Sequence, residues 1–282
     1  MKIALVIPTY KLHYVYLNRL CANIAEQTRL PDLVIIRASS CDEAGKTILE
    51  EVLGAEWPYP LKILDTPEKQ YQAQNRNEGA DAVPPEFDII SFFDSDDLMH
   101  PRRLEFIETV FEQGAEAVFH DYSHREQSFN QPVWETYDSV HAVRNSILLQ
   151  KESAIRLGTK IISRSEYTTI FPNTKILEKE VVFYRPIPMD EDLETELSVH
   201  FGHSSVLTRV FKLIRFDEAA LGYEDAKFAS DIVFQHYTTA HIQEKLSMYL
   251  CGPVPLPLPL PLPLPLPLPL PLPLPLPLPL RL

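Results

Sequence analysis

Short apolar runs alternate with longer stretches of helical periodicity over the first 120 residues of the chain. The apolar runs are rich in β-branched residues and four to seven residues long, which is typical of buried strands. The predicted strands are Ile3–Ile7, Leu33–Ile36, Leu61–Leu64, Phe87–Phe93 and Ala115–Phe119. The predicted helices are Tyr14–Glu26, Glu43–Leu53, Gln74–Ala82 and one that begins after Pro101. Pro101 suits a first helical turn, where its missing N–H costs nothing.

Strands that alternate with helices predict an α/β fold with a mostly parallel sheet, because parallel neighbours need crossover connections and these are usually helices. From residue 124 to 200 the periodicity fails, which indicates irregular strands and loops. Regular sequence patterns resume at Ser204–Val210. They continue in a helical stretch over Glu224–Phe234 and in an amphipathic segment over Ile242–Leu250. We therefore predict one domain over 1–252, with a first half at 1–123 and a second half at 124–252.

The last segment, 253–282, differs in composition from everything before it. Thirteen consecutive Pro-Leu dipeptides run from Pro255 to Leu280. This repeat favours an extended or disordered polyproline tail without a core of its own. We expect the tail to be dispensable for the chemistry of the folded domain, whether it is a docking segment or a simple repeat without a role.

Charge and cysteine content exclude several classes of function. With 39 acidic and 26 basic residues the net charge is −13, which argues against nucleic acid or an anionic membrane as a partner. The three cysteines, Cys21, Cys41 and Cys251, lie far apart and show no metal or redox spacing, so a reducing, cytoplasmic location is expected. The body contains no apolar stretch long enough to predict a membrane span.

The strongest chemical signal is an acidic cluster directly after the fourth predicted strand. Asp94, Ser95, Asp96 and Asp97 stand where open α/β sheets bind ligands, beyond the carboxyl end of a strand. Crowded carboxylates repel one another, and a Mg²⁺ or Mn²⁺ ion that also holds a diphosphate relieves the repulsion. The alternative is a solvated turn that caps the helix at Pro101, and Asp97 in particular is expected to be such a cap.

Four segments in this order and at these distances resemble family 2 of the inverting glycosyltransferases, which have the Rossmann-like nucleotide-sugar-binding fold called A. The segments are Val6–Tyr10, Gln74–Gly79, Phe92–Asp97 with Pro101, and Phe216–Glu218 with Tyr223–Asp225. They span roughly residues 3 to 235. The resemblance implies a mostly parallel central sheet flanked by helices and a nucleotide-diphosphate sugar as donor.

The resemblance also implies a role for each matching residue. The residues implied to bind the nucleotide sugar are Pro8, Thr9, Tyr10, Arg76, Asp94, Ser95 and Asp96. Asp94 and Asp96 would bind the Mn²⁺ or Mg²⁺ ion, and Asp225 would be the catalytic base, with Glu224 as its acceptor-binding partner. His203 would contact the acceptor or the diphosphate. Fold-A enzymes often use a late histidine as a further metal ligand, and His236 and His241 are the candidates for it.

One departure from the family concerns the nucleotide base. The acidic residue that usually follows the second strand and reads uracil is replaced here by the segment Arg37–Asp42, in which Asp42 stands further along and is a candidate substitute. This departure leaves the identity of the base open, and the resemblance implies a donor of the UDP or GDP type.

The sequence thus predicts a metal-dependent inverting glycosyltransferase that moves a single sugar to a hydroxyl group of a glycan or another acceptor. Single addition is expected because the Gln-x-x-Arg-Trp signature of processive synthases is missing. A nucleotidyltransferase is disfavoured because no glycine-rich loop follows the first strand. A catalytically silent sugar- or protein-binding module on the same fold is the other alternative.

Overall fold

The structure, a computed structural model, describes residues 1–126, 133–140, 142–144, 154–157, 160–163, 201–222, 224–235 and 237–251. The first half contains β1 (Ile3–Tyr10), α1 (Leu17–Ala25), β2 (Leu33–Ser39), α2 (Glu43–Gly54), β3 (Leu61–Asp65), α3 (Gln72–Asp81), β4 (Ile89–Phe92), β5 (Leu98–Met99), α4 (Arg103–Glu112) and β6 (Ala117–Glu126). The described parts of the second half are β7 (Ala142–Arg144), β8 (Ala154–Leu157), β9 (Lys160–Ser163), β10 (Ser205–Leu207), α5 (Thr208–Phe211), α6 (Glu224–Phe234) and β11 (Thr239–Cys251). Short 3₁₀ turns occupy Lys11–Tyr16 and Phe201–His203.

Within the described ranges the strands form a nine-stranded sheet in the order β3-β2-β1-β4-β10-β6-β11-β5, with β7 also paired to β11. Strands β3, β2, β1 and β4 are parallel, and β6 is parallel to β11. Strand β10 is antiparallel to both β4 and β6 and joins the two parallel sets. Strands β8 and β9 form a separate antiparallel pair. The predicted α/β class, with a central sheet flanked by helices, is confirmed.

Strand β1 is the centre of the core because both of its faces are covered. Ile3, Leu5 and Ile7 belong to the core cluster that includes the inward residues of α1, α2 and α4. Ala4 and Val6, on the other face, belong to the cluster that includes residues of α3, α5 and α6. A strand buried on both faces reads as a continuous apolar run, which explains why the sequence identified it.

Three segments differ in detail from the expectation. The helix predicted from Tyr14 begins as a 3₁₀ turn, and its α-helical part starts at Leu17. The ordered segment at Ser204–Val210 is divided between the short strand β10 and the start of α5. The amphipathic segment over Ile242–Leu250 is part of the thirteen-residue strand β11.

The single-domain assignment stays a prediction, because most of 124–200 and the whole Pro-Leu tail lie outside the described residues. Tyr223 and His236 also lie outside them. Within the described ranges, no helix combines the length and the apolar character that a membrane crossing requires.

Candidate functional site

A cleft opens at the carboxyl ends of β1 and β4, where ligands bind in open α/β sheets. Its lining residues are Pro8, Thr9, Tyr10, His13, Gln70, Gln72, Asn75, Asp94, Ser95 and Asp96. Six of the seven residues predicted to bind the donor therefore lie together, and Arg76 is the seventh. His13, Gln70, Gln72 and Asn75 were not predicted individually, because they line the cleft only through the packing of the turn after β1 and of α3 against the strand ends.

Arg76 lies beside the cleft and connects two carboxylates that are far apart in the sequence. Its guanidinium donates to Asp94 Oδ1 at 2.8 Å and to Glu224 Oε1 at 3.0 Å, with only 1% of the side chain exposed. It also lies over the ring of Phe216, 5.2 Å from its centroid. Burial opposes the charge, but the carboxylates of Asp94, Asp225 and Glu224 outweigh it and raise the pKa of Arg76. Arg76 therefore joins the acidic cluster to the start of α6.

The segment before α6 is held to α3 by Asn77. The Asn77 amide nitrogen donates to the carbonyl of Phe216 at 2.9 Å, and its amide oxygen accepts from the N–H of Phe216 at 3.1 Å. The amide nitrogen also donates to Glu218 Oε1 at 3.0 Å. One buried side chain thus satisfies both backbone groups of Phe216, which fixes the path of the chain towards Glu224.

Glu224 and Asp225 begin α6, where the positive end of the helix dipole favours negative charge. Glu224 is buried and bound to Arg76. Asp225 is half-buried and accepts the N–H of Ala226 at 2.6 Å. The two neighbouring carboxylates therefore have different surroundings: one is held by a guanidinium, and the other lies nearer to solvent.

Among the described residues, Asp94, Asp97 and His203 form a group that could hold a metal ion, with ligand atoms all within 4.8 Å of one another. His203 Nε2 lies 3.0 Å from Asp97 Oδ2 and 3.9 Å from Asp94 Oδ2. Two carboxylates suit hard cations such as Mg²⁺ and Mn²⁺. A histidine nitrogen suits Mn²⁺, a transition metal, better than it suits Mg²⁺. The donor set therefore fits the predicted ion.

Asp97 is fully buried at the centre of this group. Burial raises the pKa of the Asp97 carboxyl well above its ordinary value, and the charges of Asp96 and Asp94 raise it further. A divalent cation relieves both effects, which supports the fit of this site to a metal. The expected capping role of Asp97 is wrong: α4 begins at Arg103 without a side-chain cap, and Asp97 Oδ1 accepts the N–H of Leu250 at 3.0 Å.

His203 has a fixed orientation. Its ring stacks on Phe93 with centroids 4.1 Å apart, and Nδ1 lies 2.9 Å from Ser247 Oγ, so Nε2 faces the carboxylates. Its carbonyl accepts from Arg103, which is fully buried, at 2.7 Å, and burial lowers the pKa of Arg103 to about 9. The sequence suggested an acceptor contact for His203, but its side chain has no exposed surface.

Asp96, predicted as a metal ligand with Asp94, lies outside the metal group and lines the cleft. Its carboxylate is 3.6 Å from His13 Nδ1, and its backbone carbonyl accepts from Arg19 at 2.7 Å. His13 in turn packs against Tyr10, with ring centroids 4.4 Å apart. Asp96, which follows β4, therefore meets the turn that follows β1 in one wall of the cleft.

Two further candidates have partners elsewhere. His241 Nε2 lies 2.7 Å from Asp121 Oδ1, and His241 is not part of the metal group. Asp42 caps α2 by accepting the N–H of Gly45 at 2.9 Å, and it also faces Lys11 at 3.4 Å. At the end of β2, Arg37 is paired with Glu78.

Comparison with solved structures shows the fold. The UDP complex of Staphylococcus aureus TarS residues 1–349 is 16% identical with a TM-score of 0.54, covering 90% of this chain and 61% of that one. A complex of the same protein with UDP-GlcNAc gives 16% identity, a TM-score of 0.54 and coverage of 90% and 60%. The Pyrobaculum calidifontis mannosyltransferase PcManGT, in complex with GDP-Man and Mn²⁺, is 14% identical with a TM-score of 0.50, covering 88% of this chain and 56% of that one.

The chain thus spans about 60% of the length of the TarS chains that it matches. A search of curated protein sequences found no match. The family model for glycosyl transferase family 2 matches residues 4–173, which is more than half of the chain and includes β1, α3 and the acidic cluster. The chain therefore belongs to glycosyl transferase family 2.

Proposed function

We propose that this protein is a metal-dependent, inverting glycosyltransferase that moves one sugar from a nucleotide-diphosphate sugar to an acceptor hydroxyl. The observation that carries the proposal is the junction at Arg76, which brings the acidic cluster of the cleft and the carboxylates of α6 into one connected site. Family membership supports the reaction class. Three components are needed for such a transfer: a donor cleft, a means of stabilising the leaving diphosphate, and a base.

The donor would bind in the cleft. Pro8, Thr9 and Tyr10 come from the end of β1, and Asp94, Ser95 and Asp96 follow β4. The structural neighbours bind UDP, UDP-GlcNAc and GDP-Man, which supports a donor of the UDP or GDP type.

Asp94, Asp97 and His203 would hold Mn²⁺ or Mg²⁺. Such an ion neutralises charge on the diphosphate leaving group. The side chains prepare the site: Ser247 and Phe93 orient the imidazole of His203, and Arg76 holds Asp94 from the other side.

Asp225 is the proposed base. Because Oε1 of Glu224 is engaged by Arg76, that carboxylate is less suited to take up a proton, whereas Asp225 is half-buried and lies nearer to solvent. Asp225 would take the proton from the acceptor hydroxyl as the oxygen attacks the anomeric carbon. Attack opposite the departing diphosphate inverts the configuration at that carbon. Glu224, held in place by Arg76, would bind a neighbouring hydroxyl of the acceptor.

The proposal is tested with a panel of nucleotide sugars, each incubated with the full chain in Mn²⁺ and in EDTA. We expect one donor class to raise the melting temperature in Mn²⁺ only, since a ligand that binds the native state stabilises it. The same donor should be hydrolysed slowly to free sugar and nucleoside diphosphate, and should glycosylate one member of an acceptor panel with inversion. Binding without hydrolysis or transfer would indicate the silent module, and retention of configuration would contradict the mechanism.

A further inference from the structure

Four buried polar side-chain atoms, on residues that line the cleft, have no hydrogen-bond partner among the described residues. They are Thr9 Oγ1, Gln70 Oε1, Asn75 Oδ1 and Ser95 Oγ. Buried polar atoms are nearly always hydrogen-bonded, and each exception needs an explanation. Because these four share one cleft, a polar ligand that completes their hydrogen bonds explains all of them together.

The orientation of the Asn75 amide follows from its partners. Its nitrogen donates to Ser39 Oγ at 2.9 Å and to the carbonyl oxygen of Thr9 at 3.3 Å. A carbonyl oxygen can only accept, so the NH₂ group must face Thr9 and the Oδ1 atom must lie on the opposite side. Asn75 is only 2% exposed, and Oδ1 is therefore a fixed acceptor with nothing to accept from.

Gln70 is oriented in the same way. Its amide nitrogen donates to Glu78 Oε1 at 2.8 Å, and an ionised carboxylate offers no donor in return. The carboxylate of Glu78 is itself held by Arg37 and by Gln74. The oxygen of Gln70 is therefore the second fixed acceptor on a residue that lines the cleft.

We propose that Asn75 is a specificity-determining residue that reads the nucleobase of the donor by accepting its ring N–H, with Gln70 as a second acceptor. This inference rests on the proposed function and specifies its donor. Uracil and guanine carry a ring N–H on the edge used for base pairing, whereas cytosine and adenine carry a bare ring nitrogen there. An acceptor oxygen facing a bare nitrogen leaves both lone pairs unsatisfied, which disfavours those two bases.

The remaining groups complement the same ligands. The hydroxyls of Thr9 and Ser95 can donate to carbonyl oxygens of the base or accept from the ribose. Asp42, the acidic residue that could have served as the acceptor, caps α2 instead. The two carboxamides therefore supply the acceptors without adding negative charge beside a diphosphate.

The wild-type test is isothermal titration of the full chain in Mn²⁺ with UDP, GDP, CDP and ADP, and with N3-methyl-UDP and N1-methyl-GDP. We expect UDP or GDP to bind at least about 10-fold more tightly than CDP and ADP, because a site with buried acceptors rejects a ligand that lacks the matching donor. Methylation of the ring nitrogen of the preferred nucleotide should cost about the same factor. Equal binding of all four nucleotides, or of the methylated and unmethylated forms, would overturn the inference.

The variants Asn75→Ala and Gln70→Met separate base reading from a structural role. If Asn75 reads the base, Asn75→Ala weakens UDP or GDP more than the other nucleotides, and the penalty for methylation largely disappears. The second variant should reduce the same preference if Asn75→Ala does not fold. Gln74→Met is the matched control, since Gln74 also donates to Glu78, at 3.0 Å, but does not line the cleft.

Weakening of every nucleotide by the same factor in Asn75→Ala, with the preference intact, would show that Asn75 only supports the cleft and would overturn the inference. The two proposals fail in different ways. If no nucleoside diphosphate binds, the proposed function is wrong together with the inference. If all four bind equally, the donor class is retained and only the reading of the base is wrong.

Discussion

Asp96 and Asp97 are adjacent in the sequence, yet their side chains lie in different environments. Asp97 is fully buried beside His203, and Asp96 lines the cleft beside His13. The resemblance to the family implied a metal bound by Asp94 and Asp96, whereas the geometry favours Asp94, Asp97 and His203. Single substitutions can decide between the two ligand sets.

Asp97→Asn should raise the melting temperature of the metal-free protein and abolish the further stabilisation by Mn²⁺. The raised pKa of Asp97 means that its ionised form destabilises the fold near neutral pH, and asparagine removes the charge while Oδ1 can still accept from Leu250. The measurement is thermal unfolding with and without Mn²⁺. Asp96→Asn is the control and should keep the Mn²⁺ effect. The reverse result would assign the metal to Asp94 and Asp96.

Asp225→Asn should lower the rate of sugar transfer by about 10²- to 10⁴-fold, the usual effect of losing a general base, and leave donor affinity nearly unchanged. Glu224→Gln should instead reduce stability, because it leaves the buried guanidinium of Arg76 with one carboxylate fewer. Transfer rates and donor titrations on both variants check this. Near-native transfer by Asp225→Asn together with an inactive Glu224→Gln would exchange the two roles.

At the scale of elements, α3 organises the site. Three consecutive residues of this helix serve three different parts of it: Asn75 the cleft, Arg76 the two carboxylates, and Asn77 the segment before α6. Their placement requires the helix to lie close to β1. Gly79 permits this approach, because a Cβ atom there would come within 2.7 Å of Val6 Cγ1.

Gly79→Ala should therefore destabilise the protein by about 1–3 kcal/mol, the usual cost of overpacking, and weaken donor binding by displacing α3. Urea unfolding and nucleotide titration measure the two effects. Gly54→Ala is the matched control, since a Cβ atom there meets nothing within 4 Å and the position is helical. It should be neutral or stabilising by up to about 1 kcal/mol. Equal stability of the two variants would contradict this account of the contact.

At the scale of the whole molecule, a charged cluster fastens the start of the chain to the segment between α1 and β2 and to α4. Arg29, just after α1, pairs with Asp32 at 2.8 Å and with Glu108 of α4 at 3.0 Å. The amino group of Met1 also lies 3.0 Å from Glu108. Burial works against the charged carboxyls, but the hydrogen bonds and positive charges outweigh it, and the pKa values of Asp32 and Glu108 are lowered.

Carboxyls with lowered pKa values stabilise the fold above their unfolded pKa of about 4, and this contribution is lost as the pH falls through the folded values. The melting temperature should therefore decrease between about pH 5 and pH 3. Glu108→Gln should be less stable than the wild type at pH 7, by a fraction of a kcal/mol because the group is partly exposed, and should lose less on acidification. If the melting temperatures of the two proteins decrease by the same amount between pH 5 and pH 3, this assignment is wrong.

The sequence by itself was sufficient for the α/β class and for the location of the cleft. Strand β1 was recognisable because burial on both faces requires an unbroken apolar run, and that run ends at Pro8–Tyr10. The acidic cluster was recognisable because its members are adjacent. Both are local properties, in which neighbouring residues carry the whole signal.

Tertiary structure decided which of these residues act together. Arg76 and Glu224 are 148 positions apart, and His203 approaches Asp97 only because β10 lies antiparallel between β4 and β6. Side-chain orientation decides which carboxylate lies beside His203. It also decides that the amide oxygens of Asn75 and Gln70 remain without partners. Periodicity does not encode such orientations. Pairing between strands and the packing of α3 on β1 fix those orientations through contacts between residues distant in the chain, so they could be read only from the folded molecule.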